Sequence, residues 1–299
     1  MNTKELNINN SNLNYMEKYD KFKNNINVIL NGKMGLNNLG NTCYMNSALQ
    51  ILLHNKKFIN AIVNYNNPFM QNVTTNFIDL CMSIFNKEIS DSEDKYYIMS
   101  FSPKIFHETF IEKHPFFKNE QQDCIEFIRK LLEDISMENN RNKNINSYSE
   151  LSLENKNKNI QSKEFNEYFL SRENSFITDY FYFQLINIFT CDCGEEFYSF
   201  QKLIDIPLLI PILKGEISLK ELIKEFMREI IVNLKVKCRK CKIKMENIKK
   251  KIRFNILNDF IIFSIQRFDP KLSIKNNIRI NFEEIIELNE FCDCNEDNT

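Results

Sequence analysis

The chain contains no tryptophan and, across 299 residues, only 5 glycines, 6 prolines and 3 histidines. Asparagine, lysine and isoleucine are abundant instead, a bias that reads as genome composition rather than function. Charge of one sign is missing too: 39 basic residues offset 40 acidic ones, for a net charge of −1. That balance gives no global argument for a nucleic-acid or membrane-surface partner. No apolar run reaches the roughly 18 residues a spanning helix needs. Residues 1–14 are polar and asparagine-rich, with no apolar stretch of the kind a secretory signal requires.

What is present is ample core material. Hydrophobic residues make up 43% of the chain, and 26 phenylalanines supply much of their volume. The length suits one large domain or two small ones. Nine cysteines, mostly in short spacings and without a signal segment, read as thiols or metal ligands rather than disulfides. That points to a cytoplasmic or nuclear setting. No internal repeat is evident.

Residues 1–32 read as a polar tail with a short helix near Tyr15–Phe22. Phe77, Leu80, Cys81, Ile84 and Phe85 fall at helical spacing, residues 87–95 look like a charged connector, and Ser102-Pro103 opens a helix through Phe110. Glu120–Ile135 is the best amphipathic helix. Its apolar face is Cys124, Phe127, Ile128, Leu131, Leu132 and Ile135, with Arg129, Lys130, Glu133 and Asp134 toward water. Residues 137–163 are poor in apolar side chains and read as a disordered insertion. Strand-forming runs follow at Phe181–Ile186, Ile261–Ile265 and Ile278–Phe282. Helices in the first half and strands in the second make an α+β layout.

Chemistry concentrates at Gly35–Ser47. A Gly/Asn-rich loop delivers Cys43 to the start of the apolar segment Ala48–Leu53. Thr42 is a candidate N-cap, which puts Cys43 in the first helical turn. There, free amides and the helix dipole favour a thiolate, the nucleophilic form. A plain core helix does not need such a loop before it.

Gly35–Gln50 resembles the cysteine box GLxNLGNTCYMNSxLQ of the ubiquitin-specific proteases almost letter for letter. Gln121–Phe127 resembles the family's second box, QQDAxEFL, with Cys124 in place of alanine. Ile261–Phe268 and Lys275–Leu288 resemble two of its palm segments. The resemblance covers about 33–290. It implies a papain-like cysteine peptidase with a helical thumb over 33–136, zinc-ribbon fingers over 176–255 and palm strands over 256–299, the palm left incomplete. It also implies ubiquitin and ubiquitinated proteins as partners of a monomeric enzyme. By the resemblance, Cys43 attacks the bond after ubiquitin's terminal glycine and Asn38 stabilises the oxyanion. Gln121 and Asp123 hold the ubiquitin tail. The plainer alternatives are that Asn38 fills a turn and Asp123 caps a helix.

Cys238-x-x-Cys241 is half of a zinc site by spacing, and Cys191-x-Cys193 supplies the other half with one intervening residue where the family has two. The alternative is a relic ribbon that has lost its metal. Cys292 and Cys294 read as incidental thiols. The lysine-rich stretch 235–251 lacks interleaved aromatics and reads as a solvated hairpin face rather than a nucleic-acid patch.

A cysteine peptidase also needs a base. His54 lies eleven residues after Cys43, roughly 16 Å along a helix axis. Neither His107 nor His114 sits in anything like the family's HxGxxxxGHY segment. These residues leave the triad incomplete, so the chain by itself reads as not competent. Three explanations stay open: part of a longer product, an inactive ubiquitin-binding relative, or a recruited His107 or His114.

Overall fold

Two phenylalanine-rich cores organise the chain as two compact units, Met1–Arg141 and Asn142–Thr299. The computed structural model describes residues 15–24, 34–65, 72–91, 100–118, 120–143, 151–153, 156–211, 215–269 and 274–293. Met1–Asn14, residues 92–95 of the expected connector, and Cys294 lie outside them; the connector's first part, 87–91, is instead the end of a helix.

The first unit is helical: α1 (15–24), β1 (Gly35–Leu36), α2 (Cys43–Leu53), α3 (Lys56–Tyr65), α4 (Val73–Asp91), β2 (Ser100–Phe101), α5 (Lys104–Lys113) and α6 (Cys124–Glu138). Aromatic rings fill its centre. Phe77 lies 5.8 Å from Phe58 and 6.1 Å from Phe106, and Phe110 lies 4.7 Å from Phe127. Edge and tilted ring pairs of this kind add about 0.5–1.5 kcal/mol each beyond area burial, so phenylalanine does the work of the absent indoles. Helix α1 is tied down by Tyr15, which donates to Asp79 at 2.8 Å, and by Tyr19, which donates to the Val63 carbonyl. Phe22 is fully buried.

Helix α6 begins at Cys124, later than the expected Glu120, because the Asp123 side chain accepts from the Ile125 and Glu126 amides and fixes the cap there. A second correction concerns Asp134. It does not face water but is 1% exposed, held by Lys113 at 2.9 Å and His114 at 2.7 Å. Two donors from the end of α5 replace the solvent it would otherwise need.

The second unit contains α7 (Lys158–Leu170), α8 (Phe176–Tyr180), β3 (Phe183–Thr190), β4 (Glu196–Leu203), β5 (Asp205–Leu209), β6 (Ile217–Ser218), α9 (Leu219–Phe226), β7 (Ile230–Val232), β8 (Val236–Lys237), β9 (Lys244–Met245), β10 (Ile248–Ile256), β11 (Ile262–Gln266), β12 (Phe268–Asp269), β13 (Ile274–Lys275) and β14 (Ile280–Asn281). Helix α7 corrects the disordered stretch expected through residue 163. Asn157 caps it, Ser162 bonds to Asn255 and Gln184, and Phe165 packs 5.8 Å from Phe200. Its few apolar side chains are supplemented by polar contacts, since its buried residues are Gln161, which donates to the Lys156 carbonyl, and Ser162.

Antiparallel strands in the order β4-β3-β10-β7 form the main sheet. Strand β5 pairs in parallel with β11. One core gathers Phe183, Leu185, Ile206, Leu208, Leu222 and Phe254. A smaller one gathers Cys191, Cys238, Met245 and Ile248 at the far end of the same sheet. Strand β10 feeds both and ends at Ile256, its register against β3 shifting between Phe254 and Ile256.

Candidate active site and cysteine cluster

Two left-handed residues in a row make the turn before Cys43: Gly40 at φ +98° and Asn41 at φ +55°. Glycine adopts this conformation without penalty, and asparagine is among the few side chains that tolerate it. This is the physical meaning of the Gly-Asn pair in the loop. Asn38 closes the turn. Its Oδ1 accepts from the Gly40 amide at 3.0 Å, and from the Thr42 amide and hydroxyl at 3.1 Å each. With the oxygen turned into the loop, the amide orientation is fixed, and Nδ2 is not part of this network.

Thr42 stands at the N-cap position but does not cap. Its buried hydroxyl accepts from the Leu39 amide and donates to Asn38, and no side-chain cap bond forms. The correction has a consequence for α2, since its first-turn amides are left unclaimed by Thr42. Cys43, the first residue of that helix, is exposed.

Three residues of the same segment hold the loop in place, and sequence reasoning gave them no role. Asn46 donates through Nδ2 to the carbonyls of Leu36 and Asn37, and Gln50 donates to Met34 at 2.9 Å. Tyr44 donates to the Phe117 carbonyl at 3.1 Å. Their signal was available: polar side chains at helical spacing on α2, facing the loop rather than open solvent.

Asp123 realises its plainer reading as the α6 cap. Gln121 is exposed, whereas Gln122 donates to the Phe116 carbonyl at 2.9 Å. The start of α6 lies beside the Cys43 loop: burial pushes the Cys124 thiol up, and the Asp123 and Cys43 charges push it further the same way. So Asn38, Cys43 and Asp123 share one corner of the first unit.

The histidines are engaged elsewhere. His54 Nδ1 is 2.6 Å from the Gln50 carbonyl, and His114 Nε2 is 2.7 Å from Asp134. His107 is pushed down in pKa by burial, and its Nε2 is buried without a partner among the described residues. None of these contacts involves Cys43.

In the second unit, Cys191, Cys193, Cys238 and Cys241 converge with all four sulfurs within 4.8 Å of one another. Cys191 and Cys241 are 3.8 Å apart, and Cys193 and Cys238 are 3.6 Å apart. Zinc–sulfur bonds of about 2.3 Å in a tetrahedron give sulfur–sulfur edges of about 3.8 Å, so the donor set fits that ion. Disulfides at about 2.05 Å do not fit these spacings. Two tight loops bring the sulfurs in. Gly194 at φ +82° lets its amide donate back to the Cys191 carbonyl at 2.8 Å, and Lys242 at φ +64° does the same to Cys238 at 3.1 Å. The backbone amide of Cys241, and further that of Lys240, hold the Cys238 thiol down at about 6.

Comparison with known proteins adds to this geometry. Residues 34–299 match the family model described as ubiquitin carboxyl-terminal hydrolase. Ubiquitin carboxyl-terminal hydrolase 2 of Bos taurus is 30% identical over 266 residues, covering 81% of this chain and 39% of the relative. The protein of the same name in Gallus gallus is 29% identical over 267 residues, covering 82% of this chain and 67% of that one. A probable ubiquitin carboxyl-terminal hydrolase 1 of Schizosaccharomyces pombe is 36% identical over 121 residues, 37% of this chain. The chain spans about two-fifths of the length of the mammalian relative.

Proposed function

The chain belongs to the ubiquitin carboxyl-terminal hydrolase family, and we propose that its site serves thiol hydrolysis of the peptide or isopeptide bond after ubiquitin's C-terminal glycine, the chain by itself not being competent because none of the described histidine contacts involves Cys43. The observation that carries the proposal is the exposed Cys43 at the first turn of α2, beside the oriented amide of Asn38.

On this reading the Cys43 sulfur adds to the glycine carbonyl carbon. Negative charge then builds on the carbonyl oxygen, where the Nδ2 group of Asn38 and the unclaimed α2 amides donate. A donor of this kind contributes about 3–4 kcal/mol to the barrier. The C–N bond breaks as the nitrogen takes a proton from water, the amine leaves, and a second water hydrolyses the thioester to ubiquitin's free carboxylate and the Cys43 thiol. Gln121 and the second oxygen of Asp123 hold the extended ubiquitin tail. In family terms, residues 33–136 are the thumb, 176–255 the fingers that carry the four cysteines, and 256–299 the palm strands. Cys191, Cys193, Cys238 and Cys241 hold a structural zinc ion, which supplies cross-linking rather than chemistry. We assign a cytoplasmic or nuclear setting, where such thiols stay reduced.

A second reading is a ubiquitin-binding protein without catalysis. It draws on the histidine contacts, because His54 is held by Gln50 and His114 by Asp134. Ubiquitin carrying a C-terminal electrophile separates the two. Labelling of Cys43 supports the hydrolase, and binding without labelling supports the second reading. A folded chain that neither binds nor reacts would sink both.

A further inference from the structure

The balanced charge of the whole chain conceals a local excess. Residues 235–244 hold six cations, Lys235, Lys237, Arg239, Lys240, Lys242 and Lys244, and no acidic residue. All six are exposed. The ion pairs on either side, Arg228 with Glu225 and Lys249 with Glu229, lie outside this stretch, and its five lysines form none among the described residues. The exposed acids Asp192 and Glu246 line a recess with Lys244 and leave the cations in clear excess. The fold also sets two of the lysines against each other. Strands β8 and β9 pair Lys237 with Lys244, and like charges directly opposite repel. The adjacent pair, Val236 with Met245, points to the other face, where Met245 is buried. Both ammonium groups are thereby turned outward. Between the strands the chain closes tightly: the Cys238 amide donates to the Ile243 carbonyl at 2.9 Å, and the Lys242 amide to the Cys238 carbonyl at 3.1 Å. At the end of this turn Ile243 is 65% exposed, flanked by Lys242 and Lys244.

We propose that this hairpin end docks the protein on bilayers rich in anionic phospholipid, with the lysines among the headgroups and Ile243 entering the interface. The ligand must carry dense negative charge, which relieves the Lys237–Lys244 repulsion, and it must offer hydrocarbon behind that charge to take Ile243. A lipid surface supplies both. Nucleic acid is the poorer fit, because residues 235–251 hold no aromatic ring to stack on a base. A soluble acidic segment would leave Ile243 in water. The inference goes beyond the hydrolase reading and does not depend on it.

The full chain is sedimented with phosphatidylcholine vesicles containing about one-third phosphatidylserine, and with phosphatidylcholine alone. The expected result is at least about tenfold tighter binding to the first, falling as salt is raised. Lys240→Glu, Lys242→Glu and Lys244→Glu together should reduce binding to the level of the neutral vesicles. Ile243→Ser, which leaves the charge unchanged, should weaken it severalfold. Lys237→Gln removes the cross-strand repulsion, so it should melt no lower than the wild type while binding vesicles more weakly, a combination that misfolding does not produce. Equal binding to the two vesicle types, or binding that ignores Ile243→Ser, would overturn the proposal. So would a chain that binds a polyglutamate peptide or duplex DNA but not these vesicles. Each of those outcomes leaves the hydrolase reading to its own test with electrophilic ubiquitin.

Discussion

Tyr44 donates a hydrogen bond at 3.1 Å to the backbone carbonyl of Phe117, 73 residues further along the chain. Its ring lies 5.9 Å from that of Phe117 and 5.8 Å from that of Phe127. Tyr44 directly follows Cys43 and is buried. The residue next to the proposed nucleophile is thus anchored in the corner that leads into α6, which couples the first motif to the second.

Tyr44→Phe keeps the ring packing and removes the hydroxyl, leaving the Phe117 carbonyl without this donor. We expect a loss of about 1 kcal/mol, read as a lower chemical-denaturation midpoint. Tyr44→Ala also empties the ring's volume and should cost about 3–5 kcal/mol. Equal effects of the two variants would contradict the anchoring role.

Gln121 and Asp123 should separate in behaviour. Asp123→Ala removes the α6 cap and should destabilise the chain by about 1 kcal/mol as well as weaken ubiquitin binding. Gln121→Ala changes an exposed side chain, so stability should stay within about 0.5 kcal/mol while ubiquitin affinity falls. Isothermal titration beside thermal melts checks both. Unchanged affinity in Gln121→Ala would remove that residue from the tail site.

Lys202 on β4 lies over the Phe169 ring at 5.8 Å, and burial pushes its ammonium down to about 8. A base depressed in the fold is neutral there while still charged in the unfolded chain, so its neutral form favours folding. Stability from this group should therefore rise between about pH 8 and the ordinary lysine value near 10.4; as pH is lowered it is lost over that window, with no further change from this group below about 8. Lys202→Met should raise stability at pH 7 and flatten that rise. A wild-type-minus-variant difference that does not change with pH across this window would contradict the burial effect.

Removing zinc should loosen the second unit. A chelator, or Cys238→Ser, takes away the cross-link between the two hairpin loops. The melting temperature should fall on the order of 10 °C and recover when zinc is restored to the wild type alone. Calorimetry with and without chelator reads this directly. Melting that ignores the chelator would favour the relic ribbon.

The reach of local rules explains where sequence reading succeeded. Residue spacing located α4, α6 and β11, because periodic burial is written locally. It missed the start of α6 because Asp123 caps more strongly than composition suggests. It missed α7 because that helix is held by polar contacts from distant segments, Ser162 to Asn255 and Gln184, and it left Asp134 in water because its partners come from another helix.

The sequence by itself determined the Cys43 loop: Gly40 and Asn41 fix left-handed backbone, and Asn38 closes the turn onto residues two and four positions away. It also determined the pairing of cysteines into two short knuckles. That Thr42 serves the loop rather than the helix is equally local, since its partners are Leu39 and Asn38; the rest was left to the tertiary structure. It alone decided that Asp134 is buried between Lys113 and His114, and which knuckle sulfur is left exposed. Conformational preference acts between neighbours along the chain, whereas burial depends on segments that meet only after folding.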